Sequence, residues 1–257
     1  MKRIILILIV LALANVVDAR TYGVFTGCSN YASSQVQDLN QSTKDAKTLH
    51  KFYKGLGAST TLLTGKYATR DNIIARIRQI ASNVTAGDDV VFFYSGHGAP
   101  DRMATYDGDG NKMLTYKELI NELSRCNCKR IFIYVDACFS GSIGNALGTK
   151  DLNSDDWVTM MKEANGTDKF IVMLSSRKNE QSIEAGLLGA GFFSRSLFKG
   201  LKGHGDGNED KQITVMELFK YIYNDVLLHS DGLQHPQLIT SKSFYDSVVI
   251  NWNKKKN

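Results

Sequence analysis

The sequence predicts an α/β fold built on a mostly parallel sheet. Its strongest strand signals are three apolar segments, "VVFFYS" (90–95), "RIFIYVDA" (130–137) and "KFIVMLSS" (169–176). Strands that are buried on both faces read as continuous apolar runs of this kind. Amphipathic segments with a helical period alternate with the strands along the chain, which is typical of parallel strands joined by right-handed crossovers.

The remaining elements follow from the same two signals, apolar runs and helical spacing. Thr69 is the expected N-cap of a helix whose isoleucines recur at helical spacing. Residues 141–168 are rich in Gly, Asn and Asp, and they are predicted to form a loop with a short helix. In chain order, the other predictions are a strand at 21–27, a helix at 38–57, a strand at 59–64, a helix at 69–84, helices at 191–201 and 214–229, and a closing strand at 246–252.

The first 19 residues differ in character from the rest of the chain. Lys2 and Arg3 precede an apolar run at 4–14, and residues 17–19 have the small-x-small shape of a cleavage site. This pattern predicts a secretory signal peptide at 1–19, followed by a single domain at 20–257. A membrane anchor is the alternative, but the run is shorter than the ~20 residues that a span needs. The chain is therefore expected to be secreted or to enter a lysosome-like compartment.

Composition excludes several classes of protein. The 257 residues are 43% hydrophobic and 22% charged, as in an ordinary globular protein. The net charge of +5 is mild and no basic stripe with interleaved aromatic residues occurs, so nucleic acid is not an expected partner. Four cysteines are too few for a disulfide-built scaffold of this length. After signal removal, no segment is long and apolar enough to span a membrane.

A histidine and a cysteine directly follow two of the predicted strands. His97 stands in "SGHG" after 90–95, and Cys138 stands in "DACFSGS" after 130–137. The ligand crevice of a parallel sheet lies at the carboxyl ends of its strands, which are about 5 Å apart when neighbouring. A Cys138 thiolate would be the nucleophile and His97 would take its proton, while the N–H groups of Gly98 and Cys138 would bind an oxyanion. The alternative for Cys138 is an inert buried thiol.

Several motifs in the same order resemble those of the caspase-fold cysteine peptidases, in particular the metacaspase and bacterial caspase-like branch. The motifs are "TKDAKTLHKFYKGLGA", "FFYSGHG", "DACFSGS", "GAGFFSRSLFKGL" and "LQHPQL", and the likeness covers nearly all of 21–251. The resemblance implies a three-layer fold with a six-stranded, mainly parallel sheet, helices on both faces, and His97 and Cys138 as the catalytic pair. Legumain-type peptidases are similar but carry Glu two residues before the cysteine, so Asp136 favours the metacaspase side. Phe139 departs from the His that is usual there.

The same resemblance implies what the enzyme cleaves. Metacaspase-like enzymes have an acidic primary pocket for Arg or Lys, and its walls here would be Ser42, Asp45, Ser95 and Asp136. The alternatives are a solvated helix carboxylate for Asp45 and a backbone-orienting one for Asp136. The expected function is a cysteine endopeptidase that cleaves proteins or peptides after Arg or Lys and needs no cofactor. A legumain-like Asn-specific peptidase and a catalytically silent binding module are the alternatives.

Two further features of the sequence concern regulation. Caspase-fold enzymes resemble one another in a cleavable segment after the cysteine strand, which predicts self-cleavage after Lys150, with Lys162 the next choice. Two loops, 107–118 and 206–217, have the ligand spacing of an EF-hand calcium loop but carry Lys instead of Gly at its sixth position. The alternative is a turn that caps the next helix. The calcium ligands would be Asp107, Asp109, Asn111 and Glu118 in the first loop, and Asp206, Asn208, Asp210 and Glu217 in the second.

Overall fold

A mainly parallel sheet runs through the centre of the protein. The computed structural model describes residues 19–108, 112–137, 161–162, 169–177 and 191–253. The strands, in chain order, are β1 Thr21–Gly27, β2 Ser59–Thr64, β3 Asp89–Ser95, β4 Gly98–Ala99, β5 Arg102–Met103, β6 Leu114–Thr115, β7 Arg130–Asp136, β8 Met161–Lys162, β9 Phe170–Leu174, β10 Gln212–Thr214, β11 Gln237–Thr240 and β12 Val248–Asn251. Six of them follow the order β2-β1-β3-β7-β9-β11, and the two-residue β8 pairs beyond β11. Among the described strands of this sheet only the β9–β11 pairing is antiparallel, so the predicted α/β fold with a six-stranded, mainly parallel sheet is confirmed.

Helices cover both faces of the sheet, as the three-layer prediction requires. They are α1 Ser42–Gly55, α2 Arg70–Ala81, α3 Tyr116–Ser124, α4 Phe192–Lys199 and α5 Val215–His229. Apolar side chains of α2 and α3 pack with Val90 and Phe92 on one face. Those of α1, α4 and α5 pack with Phe93 and Tyr134 on the other. Successive strand residues point to opposite faces, so each apolar run fills two cores.

Three helices begin at a threonine that caps them. The Thr69 hydroxyl accepts from the Asn72 amide at 3.2 Å, which confirms the predicted N-cap of α2. Thr115 and Thr214 start α3 and α5 with complete capping boxes, whose third helical residues are Glu118 and Glu217. Side-chain oxygens here satisfy amides that have no partner within the helix.

The structure corrects several predicted elements. The helix expected at 38–57 begins only at Ser42, because the Asp38 carboxylate accepts from the Asn30 side chain at 2.8 Å and from the Tyr31 amide at 3.3 Å, which keeps it in the preceding loop. Helix α3, strand β11 and the small antiparallel sheet of β4, β5 and β6 were not predicted. The closing strand, β12, exists, but it pairs with β10 in a separate two-stranded sheet.

Two further findings on the described residues concern the helices and the cysteines. None of the helices there combines the length and apolarity that crossing a membrane requires. Cys28, Cys126 and Cys128 are free thiols, and Cys28 and Cys126 are buried.

Candidate catalytic site

His97 follows β3 at the carboxyl edge of the sheet, which is the side where its parallel strands end, and it is half-buried. Its Nε2 lies 2.7 Å from the Gln37 carbonyl oxygen, an acceptor, so the ring carries its proton on Nε2. The hydrogen bond thereby leaves Nδ1 as the basic nitrogen of the neutral imidazole. The ring is thus held at the end of β3 with Nδ1 able to accept a proton.

Two tyrosines hold the backbone of His97 from both sides. The Tyr31 hydroxyl accepts from the His97 amide at 2.9 Å and donates to the Cys28 carbonyl at 3.1 Å, while the Tyr31 ring lies against the imidazole with 5.2 Å between centroids. The Tyr94 hydroxyl lies 2.8 Å from the His97 carbonyl oxygen. A Cβ at Gly96 would come within 2.4 Å of that hydroxyl, so glycine is required there.

Cys138 lies outside the described residues, but the residue before it is held firmly. The Ser175 hydroxyl accepts from the Ala137 amide and donates to the Ala137 carbonyl, both at 3.1 Å. The Ser176 hydroxyl reaches the same carbonyl at 3.3 Å. Gln234 donates its side-chain amide to the Ser175 carbonyl at 2.8 Å. These hydrogen bonds therefore fix the carboxyl ends of β7 and β9 directly before the predicted nucleophile in the sequence.

The three other cysteines are poor nucleophiles. Burial raises the pKa of the Cys28 thiol to about 12 and that of Cys126 to about 11. Burial also raises the pKa of Cys128 to about 12, and the neighbouring Cys126 adds to the rise. A thiol must lose its proton to attack a carbonyl, so these side chains hold almost no thiolate at neutral pH. Cys138 is the remaining cysteine.

The structure gathers the four residues of the predicted substrate pocket at the carboxyl edge, on the face covered by α1. Ser95 donates its hydroxyl to Asp45 at 3.3 Å, and Ser95 is also the register partner of Asp136 on the neighbouring strand. Ser42 begins α1 directly over the end of β1. Asp45 is only 6% exposed and Asp136 only 7%, so Asp45 is not a solvated helix carboxylate.

Asp136 also meets the start of α4. Its Oδ2 accepts from the Ser194 amide at 3.1 Å and from the Ser194 hydroxyl at 2.6 Å. A Cβ at Gly191 would lie 2.5 Å from the same oxygen, so the chain passes close to the carboxylate. A helix N-terminus favours a negative charge through its free amides and dipole. The carboxylate therefore also orients the backbone, as the alternative for Asp136 supposed.

In the first predicted calcium loop, both carboxylate oxygens of the last predicted ligand, Glu118, already have partners. Glu118 pairs with Arg70 through one oxygen, and its other oxygen belongs to the capping box with Thr115. The Asp107 carboxylate accepts from the Thr105 hydroxyl at 3.1 Å, while Asp109 and Asn111 lie outside the described residues. The end of this loop is therefore a turn that caps α3, which was the alternative to a calcium site.

The second predicted calcium loop is described in full. Lys211 takes the left-handed backbone expected there, with φ of 66°, and its amide donates to Asp206 at 2.9 Å. Asp210 accepts from the Gln212 amide at 2.7 Å, and Glu217 from the Thr214 amide at 3.0 Å. Asn208 is also engaged within the loop, since its side-chain oxygen accepts from the Asp210 amide at 2.9 Å. Within the described ranges, no three His, Cys, Asp or Glu side chains are grouped so as to hold a metal ion. Calcium binding therefore stays a prediction.

The other predicted positions are placed as follows. Gly98, the predicted oxyanion donor, begins β4 beside His97 and is half-buried. Lys150, the predicted self-cleavage site, lies outside the described residues. Lys162 lies in β8 opposite Ile239 of β11, inside the segment that was predicted as a loop. A residue paired in a strand is a poor substrate for a peptidase, so the structure disfavours Lys162 as the second cleavage position.

Comparison with known proteins now identifies the family. The family model of the caspase domain matches residues 20–245 of the chain. The chain belongs to the caspase-domain family. This confirms the coarse resemblance in the sequence and makes cysteine peptidase activity on protein substrates the activity to expect of this caspase domain, whereas the metacaspase branch stays a prediction.

Solved structures give the same fold for this caspase domain. The crystal structure of protein GSU0716 from Geobacter sulfurreducens matches with a TM-score of 0.63 at 18% sequence identity, over 90% of this chain and 98% of that one. At that identity the likeness shows the fold alone. No curated protein sequence matches the chain.

The residues that contact His97, Ala137 and Ser175 were not predicted from the sequence. Gln37 and Tyr31 come from the loop after β1, some sixty residues before His97, and Ser175 and Gln234 come from later elements. Only the paired serines after 169–174 and the "LQHPQL" motif marked their regions in the sequence.

Proposed function

We propose that this chain is a cysteine endopeptidase that hydrolyses peptide bonds after Arg or Lys, with His97 and Cys138 as its catalytic pair. The observation that carries the proposal is the fixed His97 imidazole, bonded through Nε2 to the Gln37 carbonyl and presented at the end of β3. Strand β3 is the direct neighbour of β7, which leads into Cys138. The last residues of the two strands, Ser95 and Asp136, are register partners, which supports a contact between the side chains that follow them.

The chemistry follows from these positions. His97 Nδ1 takes the proton of the Cys138 thiol, and the sulfur attacks the carbonyl carbon of the substrate. The N–H groups of Gly98 and Cys138 stabilise the oxyanion that forms. The carbon–nitrogen bond breaks as His97 returns the proton to the leaving amine, and water then hydrolyses the thioester to release the acid and the thiol.

The preference for Arg or Lys rests on two buried carboxylates. Asp45 and Asp136 flank Ser95 at the carboxyl edge of the sheet, and both are shielded from solvent. A guanidinium or ammonium that enters such a site makes charge-assisted hydrogen bonds in low dielectric. A neutral Asn side chain would leave the negative charge of the site uncompensated.

Processing and compartment complete the proposal. Lys150 is the proposed self-cleavage position, because a pocket that accepts Lys meets the chain's own segment at high effective concentration. The predicted signal peptide supports a secreted or lysosome-like location. Intact mass of the wild type and of Cys138→Ala after incubation would show the cut at Lys150 in the wild type only.

Labelling and hydrolysis together test the proposal. We expect iodoacetamide to label Cys138 in a reaction that needs His97. We also expect peptides with Arg or Lys directly before the scissile bond to be cleaved faster than those with Asn or Asp there. Cys138→Ala and His97→Ala should each lower kcat/KM by about a thousandfold or more, since the two residues act as a unit. Cys128→Ser is the matched control and should keep full activity.

Three results would contradict parts of the proposal. Hydrolysis that survives in Cys138→Ala would remove the dyad. A preference for Asn would identify a legumain-like specificity. A folded wild type that neither reacts with iodoacetamide nor cleaves any peptide would be a binding module.

A further inference from the structure

A buried carboxylate at the opposite edge of the sheet accepts its hydrogen bonds from uncharged groups. Asp88 immediately precedes β3 and is 2% exposed. Its Oδ2 accepts from the Thr85 amide at 2.8 Å and from the Thr85 hydroxyl at 3.0 Å. Among the described residues, no Lys, Arg or His side chain forms a salt bridge with it. Burial opposes its ionisation, but hydrogen bonds from Arg20 and Thr85 and the positive charge of Arg20 outweigh that effect and lower the pKa of Asp88. The site therefore favours a negative charge and can take a cation in direct contact.

The remaining oxygen of Asp88 faces the start of the folded chain. The Arg20 backbone nitrogen donates to Asp88 Oδ1 at 2.8 Å, and the Arg20 carbonyl accepts from the Asp89 amide at 2.9 Å. These two bonds hold Arg20 beside β3 just before β1 begins. Ala19 and Arg20 are both exposed, so the peptide bond between them lies at the surface. It is also the bond at which the sequence predicts signal-peptide cleavage.

We propose that Asp88 is the binding site for the α-ammonium group that cleavage after Ala19 creates on Arg20. Water adds across the peptide bond in a reaction catalysed by a signal peptidase: Ala19 leaves with a carboxylate, and the Arg20 nitrogen becomes an amine that is protonated at neutral pH. The nitrogen is already in place, so the neutral amide donor is replaced by a charged one without a change of geometry. The processed chain thus places a cation in direct contact with Asp88.

The ion pair stabilises the mature chain and not its precursor. A hydrogen bond between two charged groups is shorter and about twice as strong as a neutral one. Asp88 lies at the amino edge of the sheet, a full strand length from His97, so the pair affects folding and leaves the catalytic geometry alone. Processing therefore adds stability to the form that reaches the final compartment.

A double-mutant cycle tests this on the full mature chain. Four proteins are compared by denaturant unfolding near pH 6.5: residues 20–257 with a free Arg20 amine or an acetylated one, each with Asp88 or with Asp88→Asn. Acetylation removes the charge but keeps one N–H, as in the uncleaved chain. We expect acetylation to raise the unfolding equilibrium constant about tenfold with Asp88 and less than about twofold in Asp88→Asn.

Two further measurements keep the test decisive. The α-amine of the free chain should titrate above its usual range of about 7.7–8.0, which is measurable even if Asp88→Asn fails to fold. N-terminal sequencing of the protein made in a secreting cell should begin at Arg20. An acetylation effect that is equal in both backgrounds, an unshifted amine, or a mature N-terminus elsewhere would each overturn the proposal.

Discussion

His97, the proposed general base, is contacted by groups from three directions. Gln37 binds its ring, Tyr31 binds its amide and covers one side of the imidazole, and the Tyr94 hydroxyl lies between its carbonyl and that of Ala104. Burial raises the pKa of Tyr94 well above its usual value, so its hydroxyl remains a proton donor. A base that must accept and return a proton in one place gains from a ring that cannot rotate away. Tyr31 is thus a positioning residue, because it acts through His97.

Replacing the Tyr31 hydroxyl should slow the chemical step and leave substrate binding unchanged. Tyr31→Phe keeps the ring beside His97 but removes the acceptor of its amide, so we expect kcat to fall about tenfold with KM nearly constant. Tyr31→Leu, which also removes the ring, should fall further. Tyr22→Phe, on the same part of the chain but at the opposite end of β1, is the matched control and should leave kcat unaltered. A rise in KM with unchanged kcat would place Tyr31 in substrate binding instead.

At the level of elements, the start of α1 is fitted closely to the end of β1. A Cβ on Gly27 would lie 2.3 Å from the Ser42 carbonyl oxygen and 2.8 Å from Ala46. Thr43 adds two bonds, donating its amide to the Ser29 hydroxyl at 2.9 Å and its hydroxyl to the Gly27 carbonyl at 3.3 Å. This close approach brings Asp45, in the first turn of α1, to Ser95. The glycine that ends β1 therefore sets the position of one wall of the proposed pocket.

Adding one methyl group at this contact should therefore change both stability and specificity. Gly27→Ala forces α1 away from β1, and we expect a loss of about 1–3 kcal/mol in the free energy of unfolding together with a weaker preference for Arg over Asn peptides. Gly55→Ala, in the last turn of the same helix, meets no atom within 4 Å and should be neutral or stabilising by about 0.5–1 kcal/mol. Denaturant titration and a peptide panel measure the two effects. An equal stability for the two variants would show that the contact is not tight.

The sequence predicted those elements whose signal is carried by their own residues. Strand β1 and strand β2 have the predicted bounds, since apolar runs between turn residues mark them fully. Strand β11 was missed because four residues after a proline carry little pattern, and its place is decided by pairing with β9. The same holds for the site: His97 follows from a local motif, whereas its contact with Gln37 depends on a loop sixty residues away.

At the scale of the whole molecule, the carboxyl and amino edges of the sheet carry different sets of polar residues. The carboxyl edge carries His97, Ser95 and Asp136, while the amino edge holds the ion pair of Arg130 with Asp89 and the buried Asp88. Apolar cores on both faces separate the edges. The charged groups at the amino edge are therefore separated by apolar packing from the proposed catalytic site at the carboxyl edge.

The pH dependence of stability should show two separate losses on acidification. Burial lowers the pKa of His50, with Lys54 adding to the effect, so the stability that neutral His50 contributes is present above about pH 6.5 and is lost as pH falls through its folded pKa. Hydrogen bonds from Arg78 lower the pKa of Glu122, so its contribution is complete above about pH 4.3 and is lost only below that value. Unfolding free energies from pH 7 to 3 measure both: we expect His50→Gln to flatten the part of the curve that begins at about pH 6.5, and Glu122→Gln to flatten it only below about pH 4.3. His204→Gln, at the exposed surface, is the control for the first step. A Glu122→Gln effect centred near pH 6 would contradict this assignment of the lower step.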